Sequence, residues 1–565
     1  MRVAAVTLAL GVAAPAAALA DGYGGGNGGG NGGGNGDRAG AGDLLVSGSV
    51  YREADIQPGV TQLPPGCTAP NCVTATTDGA YPYVFNNDLV DGSFGITSPI
   101  TLEEITPSGT PVGEFKVPTD KLVTSFSSKS ELALNDSTSG RAVTFMDYVA
   151  PDRALDVSNS NAPGVIDPTN PVPGSYYRAV ARLSPHGRLS FAETNAYSGN
   201  NGRAAVLDDR LGAGNVYTAG NAGNGGSPQP DGVILGAGAQ LIQSPLSRQL
   251  DQTPGAPTPV ASFNVTQLGD PADKIGKDDN FRGLTLYDNV LYYTKGSGGN
   301  GVNTVYFVDT SGTACPHGVG LPVPGAPLPS SPLAYDPSTL QSTGLPSNMC
   351  ILRGFPTTLA KKTTDSFPFG VWFANPTTLY VADEGNGDTT YSAATATYTG
   401  AAAQTTAGLQ KWVFDPTDGP GGSWKLAYTL TAGLNLGQPY TVAGYPVGDN
   451  AATGLPWAPA TDGLRNITGR VNHDGSATIW AVTSTVSGSG DQGADPNQLM
   501  AVTDDPSAVA PAGGEAFRTV VAPRYAHVVR GVAFAPSAGG GWSGRALSLS
   551  SLRRRGRVRG ARAGR

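Results

Sequence analysis

The chain has 565 residues, of which 80 are glycine and 45 are proline, while charged residues make up only 14%. Coiled coils and helical bundles need charge-rich, glycine-poor repeats, so this composition excludes both classes. The formal net charge is −8, and it becomes −15 when the seven arginines of residues 553–565 are set aside. Such an acidic body is not typical of a nucleic-acid-binding protein, so no specific nucleic-acid partner is predicted.

The first twenty residues have the pattern of a secretory signal peptide. Met1 and Arg2 give the charged start, an Ala/Val/Leu-rich run follows, and the small-residue end predicts cleavage after Ala20. An uncleaved membrane anchor is the alternative, which the shortness of the run disfavours. No later run has the length of a transmembrane helix. The mature chain is therefore expected to be secreted, periplasmic or at the cell surface.

Both ends of the mature chain are predicted to be disordered. Residues 21–42 are mostly Gly-Gly-Gly-Asn repeats, which have no side chains to bury and form a flexible leader. Residues 537–565 contain the arginine-rich stretch, which lacks apolar periodicity. This tail could contact phosphate, anionic glycans or an anionic surface, or it could have no specific role. The folded domain is assigned to residues 43–536.

Four cysteines occur in two local groups. An even number in an exported chain predicts disulfides, and four cysteines allow three connectivities. We predict the two local pairs, Cys67 with Cys72 and Cys315 with Cys350. A zinc site is disfavoured because no Cys-x-x-Cys occurs and the four histidines are scattered.

A weak internal repeat is the most informative feature of the sequence. It is clearest from residue 281, where an alternating apolar run over 281–286 is followed by a turn at 288–289 and by further runs over 290–294 and 304–308. This pattern predicts consecutive antiparallel strands. Similar units begin near residues 130, 201, 367 and 464. Four strands per unit are typical of a β-propeller blade.

A final apolar run at residues 529–534 has no strands after it. Three N-terminal runs, at 44–51, 100–105 and 113–117, can complete that blade and remove the free edges of an open array. The predicted fold is therefore all-β, a propeller of six four-stranded blades closed by pairing of N-terminal strands with a C-terminal strand, with seven blades as the alternative.

Most of the chain, residues 122–534, resembles a group of exported bacterial propeller-like proteins without an established activity. The strings that carry this resemblance are NAYSGNNGR at 195–203, KDDNFRG at 277–283 and LYVADEGNGD at 379–388. The string LYVAD is also similar, more distantly, to NHL-type and gluconolactonase-type blades. The first resemblance implies a propeller but no reaction. The second assigns no metal ligand to any residue of this chain.

Arginines precede the first strand in four of the six units: Arg203, Arg282, Arg465 and Arg530. Because every innermost strand starts at the same end of the axial channel, these guanidinium groups are expected to converge. The loops between the second and third strands emerge on that face. They include the glycine-rich segments 223–225, 299–301, 385–387 and 489–491.

Four converging cations repel one another unless anions neutralise them. One interpretation is structural, with each arginine bridging neighbouring blades through a carboxylate or a backbone carbonyl. Candidate carboxylates are Asp278, Asp279, Asp383 and Asp462. The other interpretation is an anionic ligand held by the guanidinium groups, with Asp279, Asp383 and Glu384 in the same site.

Oxygen-rich loops at residues 383–388 and 491–497 could hold calcium, although neither has EF-hand spacing, and capped turns are the alternative. Glu384 beside Asp383 could act as a general base and His527 as an acid. The usual hydrolase and phosphate-binding motifs do not occur. Whether the chain is an enzyme therefore stays open.

The favoured function is a non-catalytic exported propeller whose arginine-bearing face binds an anionic small molecule, a glycan or a protein. The alternative is a calcium-dependent hydrolase of lactonase or phosphoesterase type. The hydrolase would need several carboxylates or amides converging on one axial point, and the binding protein would not.

Overall fold

The structure is a computed structural model. It describes residues 42–51, 57–63, 67–69, 72–76, 95–126, 128, 130–164, 172, 174–194, 196–210, 214–221, 238–242, 280–297, 301–315, 317–330, 349–360, 365–489 and 492–538. The predictions for the signal peptide, for residues 21–41 of the leader and for residues 539–565 of the tail lie outside these residues. So do Asp278 and Asp279.

Six small sheets are arranged in a ring, which confirms the predicted six-bladed, all-β propeller. We number the blades by their innermost strands in chain order. These strands are Asn135–Asp136, Gly202–Asp208, Phe281–Tyr287, Pro368–Asn375, Ala460–Val471 and His527–Phe534.

Blades 1–3 vary in strand number around the same meander. Blade 1 continues outward through Val143–Val149, Tyr177–Leu183 and Leu189–Thr194. Blade 2 continues through Asn215–Gly220 and Ala239–Ile242, its last strand within the described residues. Blade 3 continues through Val290–Lys295, Thr304–Val308 and Met349–Leu352, and adds a fifth strand, Val319–Gly320, which runs parallel to its neighbour.

Blades 4 and 5 have four strands each. Blade 4 continues through Thr378–Asp383, Gly408–Asp415 and Ser423–Leu430, and blade 5 through Ala477–Val486, Leu499–Asp504 and Arg518–Val521. Shorter elements lie in the connections: the strand pairs Gln62–Leu63 with Val73–Thr74, Thr97–Ser98 with Thr124–Ser125 and Tyr391–Ser392 with Thr397–Tyr398, the 3-10 helix Val157–Asn159 and the helix Thr399–Ala402. None of the helices in the described ranges has the length and apolar character needed to cross a membrane.

Blade 6 is composite, as the sequence predicted. Its innermost strand comes from the C-terminal part of the chain, and Leu44–Val50, Ile100–Ile105 and Pro111–Lys116 follow outward. The strand Leu44–Val50 pairs antiparallel with His527–Phe534. This pairing closes the ring and covers two edges that would otherwise be exposed.

Glycines directly after two of the arginines allow the innermost strands to approach each other closely. A Cβ on Gly283 would clash with the carbonyl oxygen of Phe369 in blade 4, and one on Gly531 would clash with that of Leu132 in blade 1. The Arg-Gly pair therefore turns a large side chain inward while the next residue permits backbone contact with a neighbouring blade.

Blade 1 departs from the prediction. The apolar run at 131–134 was expected to be its first strand, but Leu132 has φ of 62° and the strand contains only Asn135–Asp136. The cause is the side chain of Glu131, which accepts hydrogen bonds from Thr124 Oγ1 (3.0 Å) and the Ser125 backbone N–H (3.1 Å). These contacts favour a turn over an extended backbone.

Both predicted disulfides are present, Cys67–Cys72 and Cys315–Cys350. The second joins the outer strand Met349–Leu352 to the segment before the fifth strand of blade 3. A bridge across 35 residues stabilises a fold by about 3–4 kcal/mol in the chain-entropy model.

The two ends of the axial channel differ. We call the end where innermost strands begin the loop rim and the opposite end the turn rim. The turn rim has short connections such as Asp288–Asn289, where φ values of 46° and 65° are those of a tight hairpin turn. The loop rim has long ones, including residues 51–99, 384–407 and 431–459. Apolar residues of the first and third, among them Tyr51, Leu63, Val442 and Tyr445, pack in one cluster.

Asp147 gives a stability prediction for blade 1. Its side chain is 2% exposed, and neither carboxyl oxygen has a hydrogen-bond partner among the residues that the structure describes. Burial together with the charge of Glu131 raises its pKa well above the usual value. A raised pKa costs stability as the pH rises above the unfolded value. Asp147→Asn should therefore stabilise the fold by about 1–3 kcal/mol at pH 8 and by less at pH 4.

Chemical denaturation at the two pH values measures this effect. Asp474→Asn is the control, because hydrogen bonds from Ser476 lower the pKa of Asp474 and its replacement should act with the opposite sign. Equal stability of wild type and Asp147→Asn at pH 8 would contradict the prediction.

Candidate functional site

The innermost strands place the four predicted arginines inside the channel at the loop rim. Their exposed fractions are only 3% for Arg203 and Arg465 and 4% for Arg282 and Arg530. The sequence predicted that these side chains would meet on one accessible face. The structure brings them together, but it buries them.

Glu384 lies between two of these arginines. Its Oε1 is 3.8 Å from Nε of Arg282, and its Oε2 is 3.4 Å from Nε of Arg465. Arg282 also donates to the hydroxyl oxygens of Ser130 (2.7 Å) and Ser297. One carboxylate of blade 4 therefore joins blades 3 and 5.

The other two arginines bond mainly to uncharged acceptors. Arg203 donates to the Phe281 carbonyl oxygen (3.0 Å) and to the Asn280 side chain, both of the next blade. Arg530 donates to Ser49 Oγ (3.1 Å) and to the Ser128 carbonyl oxygen. These contacts are those of the structural interpretation, in which arginines bridge neighbouring blades.

Neighbouring charges act on one another in this cluster. Burial lowers the pKa of Arg203 well below its usual value, the charge of Arg282 lowers it further, and Glu384 opposes both effects. Burial likewise lowers the pKa of Arg282, with Glu384 opposing and Arg465 adding to the shift. Glu131 also opposes the shift of Arg203, so two carboxylates, Glu384 and Glu131, offset the positive charge of the cluster in part.

The carboxylates predicted to join the arginines have other partners. Asp383 accepts hydrogen bonds from the backbone N–H groups of Phe367 (2.7 Å) and Gly385 (3.0 Å), and burial raises its pKa to about 7. Asp462 accepts from the Gly387 N–H (2.8 Å) and Gln404 Nε2 (2.6 Å), and burial raises its pKa to about 6. Both hold the loop after the second strand of blade 4. Asp279 lies outside the described residues.

The calcium and acid–base predictions gain no geometric support in the part of the chain that the structure describes. There, the one group of three metal-ligating side chains is Asp309, Cys315 and Cys350, and both cysteines belong to a disulfide. Burial and neighbouring arginines lower the pKa of His527 to about 3. The ring is therefore neutral at physiological pH and is not suited to act as an acid.

An open cavity of about 340 Å³ occupies the channel at the turn rim. All six blades line it, and the lining residues lie toward the other ends of the strands that carry the arginines. Val206, for example, is three residues beyond Arg203, a separation of about 10 Å along a strand. The cavity and the arginine cluster are thus two different places on one axis.

Polar and aromatic groups line this cavity together. Burial raises the pKa of the Asp136 carboxyl to about 7, against a backbone hydrogen bond from Phe534. The rings of Tyr287 and Phe373 stack 4.3 Å apart with an interplanar angle of 7°. Trp372 lies against Gly469, where a Cβ would come within 2.6–2.7 Å of the indole ring. The site combines a carboxyl group with aromatic surface.

Carboxylates also occupy turns of the same rim. Hydrogen bonds from Ser476 lower the pKa of Asp474, and those from Ser507 lower the pKa of Asp505, so both stay ionised. Asp288 lines the cavity directly, and Arg210, also in the lining, is paired with Asp208 at 2.8 Å.

The cavity residues were missed at the sequence level. Asp136 and Trp372 lie toward the C-terminal ends of their apolar runs, whereas the four arginines lie near the starts of theirs. Comparing the ends of those runs as well as their starts would have placed both residues at one rim.

Comparisons with known proteins add little. No protein-family model matches this sequence, and no curated protein matches it. The resemblance to NHL-type and gluconolactonase-type blades therefore has no family match behind it. A solved structure of an ulvan lyase, described as a new family of polysaccharide lyase and bound to -[GlcA(1-4)Rha3S]-, is 10% identical, with a TM-score of 0.28 over 80% of this chain and 93% of the other. That TM-score is too low to inform fold or function.

Proposed function

We propose that this chain is a non-catalytic binding propeller that takes a cationic group of its ligand into the axial cavity at the turn rim. The observation that carries this proposal is the Asp136 carboxyl in an open cavity with aromatic walls. Two disulfides are compatible with function outside the cytoplasm, as the signal-peptide pattern predicts.

The chemistry of the lining favours an ammonium or guanidinium group. Aromatic faces attract cations through their quadrupole, and a carboxylate forms charge-assisted hydrogen bonds with them. Arg210 already has Asp208 as its partner.

The anionic ligand expected from the sequence would need the buried arginine cluster, and its binding there stays a prediction. The calcium-dependent hydrolase is the alternative function. Turnover of a lactone or phosphate ester that depends on added calcium would favour it over a binding protein.

A ligand panel tests the proposal. Agmatine, choline and spermidine are titrated into the full chain by calorimetry, with glucose and citrate as neutral and anionic counterparts. We expect the cations to bind and their affinity to rise from pH 6 to pH 8, because Asp136 loses its proton near pH 7. Asp136→Asn should weaken binding by about tenfold or more and abolish the pH dependence.

Asp505→Asn is the matched control, since it removes a carboxylate of an outer turn on the same rim and should leave affinity nearly unchanged. Preference for citrate over the cations would overturn the proposal, as would an unchanged affinity in Asp136→Asn.

A further inference from the structure

The chain leaves the propeller beside the mouth of the cavity. Ala533 and Phe534, at the end of the last strand, line the cavity. The backbone N–H of Ala535 then donates to the Asp43 carbonyl oxygen (2.8 Å) and that of Ser537 to the Gly140 carbonyl oxygen (3.1 Å). Gly140 lies in the turn of blade 1 that starts with cavity residues. These bonds fix the exit point of the chain at the turn rim.

The residues that follow have a length and a composition suited to this mouth. Residues 539–552 are rich in glycine and serine, and seven arginines lie in residues 553–565. Fourteen residues separate Ala538 from Arg553. A chain of this length can span up to about 50 Å. The arginines are therefore within reach of a cavity that begins next to Phe534.

The cavity is chemically complementary to an arginine side chain. The planar guanidinium group donates in a fork that fits a carboxylate and also stacks on aromatic rings. Asp136 supplies the carboxyl, and Trp372 and Tyr287 supply aromatic surface. The body of the chain is acidic and residues 553–565 are strongly basic, so long-range attraction acts in the same direction.

We propose that an arginine of residues 553–565 occupies the axial cavity, so that the chain carries a tethered occupant of its own binding site. This inference rests on the proposed function, because it uses the same cavity and the same Asp136. A covalently linked ligand with a short linker has an effective concentration in the millimolar range. External ligands must then compete with the tail, and a partner that binds the tail would open the site.

The experiment uses the full chain and a peptide of residues 551–565. In a tail-Gln variant, all seven arginines of residues 553–565 are replaced by Gln. Calorimetry should give a peptide dissociation constant at least tenfold lower for tail-Gln than for wild type, because the tail no longer competes. Adding Asp136→Asn to tail-Gln should weaken the peptide by about tenfold. Adding Asp505→Asn instead should not.

Four other results would contradict the proposal that the tail occupies the cavity. Equal peptide affinity of wild type and tail-Gln means that the tail does not fill the cavity. If Asp136→Asn leaves the peptide affinity unchanged, the peptide binds at a site other than the cavity. Competition in wild type that grows with protein concentration assigns the occupant to a second copy. Loss of binding to anionic vesicles in tail-Gln, with peptide affinity unchanged, assigns the tail to a membrane surface. In all four cases, agmatine binding that depends on Asp136 would leave the proposed function standing.

Discussion

Replacing Glu384 by Gln is expected to lower the free energy of unfolding by about 3–5 kcal/mol. The carboxylate is 5% exposed and lies within 4 Å of both Arg282 and Arg465, at 3.8 and 3.4 Å. Its removal leaves two buried guanidinium groups without their shared counter-charge, and Arg203 is already a neighbouring cation. Urea denaturation of the full chain measures the loss.

Two further variants show whether charge is the cause. Adding Arg282→Gln to Glu384→Gln removes part of the excess charge and should recover part of the loss. Glu103→Gln breaks the exposed pair with Arg524 and should cost less than about 1 kcal/mol. A loss below 1 kcal/mol for Glu384→Gln would contradict the prediction.

Melting temperatures of the full chain in different salts test whether the arginine cluster binds an anionic ligand. Sulfate and phosphate are compared with chloride at constant ionic strength. Anion-specific stabilisation that disappears in Arg282→Gln with Arg465→Gln would support a bound anion. Equal melting temperatures in all three salts would restrict these arginines to a structural role.

Lys411→Met is expected to cost about 3–5 kcal/mol, again from a buried charge that loses its partner. Lys411 Nζ is 3.0 Å from Asp504 Oδ2, and the two side chains are 0% and 1% exposed. Lys411 also donates to the carbonyl oxygens of Asp505 (2.5 Å) and Ala508 (2.8 Å), so that a strand of blade 4 is joined to blade 5.

The double variant Lys411→Met with Asp504→Asn removes both charges and keeps an acceptor oxygen for the hydroxyl groups of Tyr380 and Tyr428, so it should recover much of this stability. Lys425→Met, on the next strand of blade 4, breaks a pair with Asp415 whose lysine is 54% exposed and should leave the melting temperature unchanged. Equal effects of Lys411→Met and Lys425→Met would show that burial of the pair is irrelevant.

The architecture could be predicted because its signal is periodic. Each innermost strand but one is an alternating apolar run, and the lone run at 529–534 required partners that only the N-terminal runs could provide. The first strand of blade 1 was predicted wrongly. Its run at 131–134 has the right residues, but the hydrogen bonds of Glu131 come from residues 124, 125 and 148, and no pattern within the run reveals them.

The site was harder to predict, for a different physical reason. Convergence of the four arginines follows from strand register alone. The partners that surround them include Ser128, Ser130 and Glu384, which stand in the connections and meet the arginines only in three dimensions. The open end of the channel is likewise a consequence of short turns at one rim and long connections at the other, and only their comparison reveals it.

Closure of the ring by distant strands also constrains the order of folding. The partner of Leu44–Val50 on the channel side is His527–Phe534, almost the whole length of the chain away. During synthesis from the N-terminus, the first strands of blade 6 must wait with an unsatisfied edge while five blades form, and that edge is open to association with other chains. The ring is therefore sealed last, when the final strand pairs with Leu44–Val50.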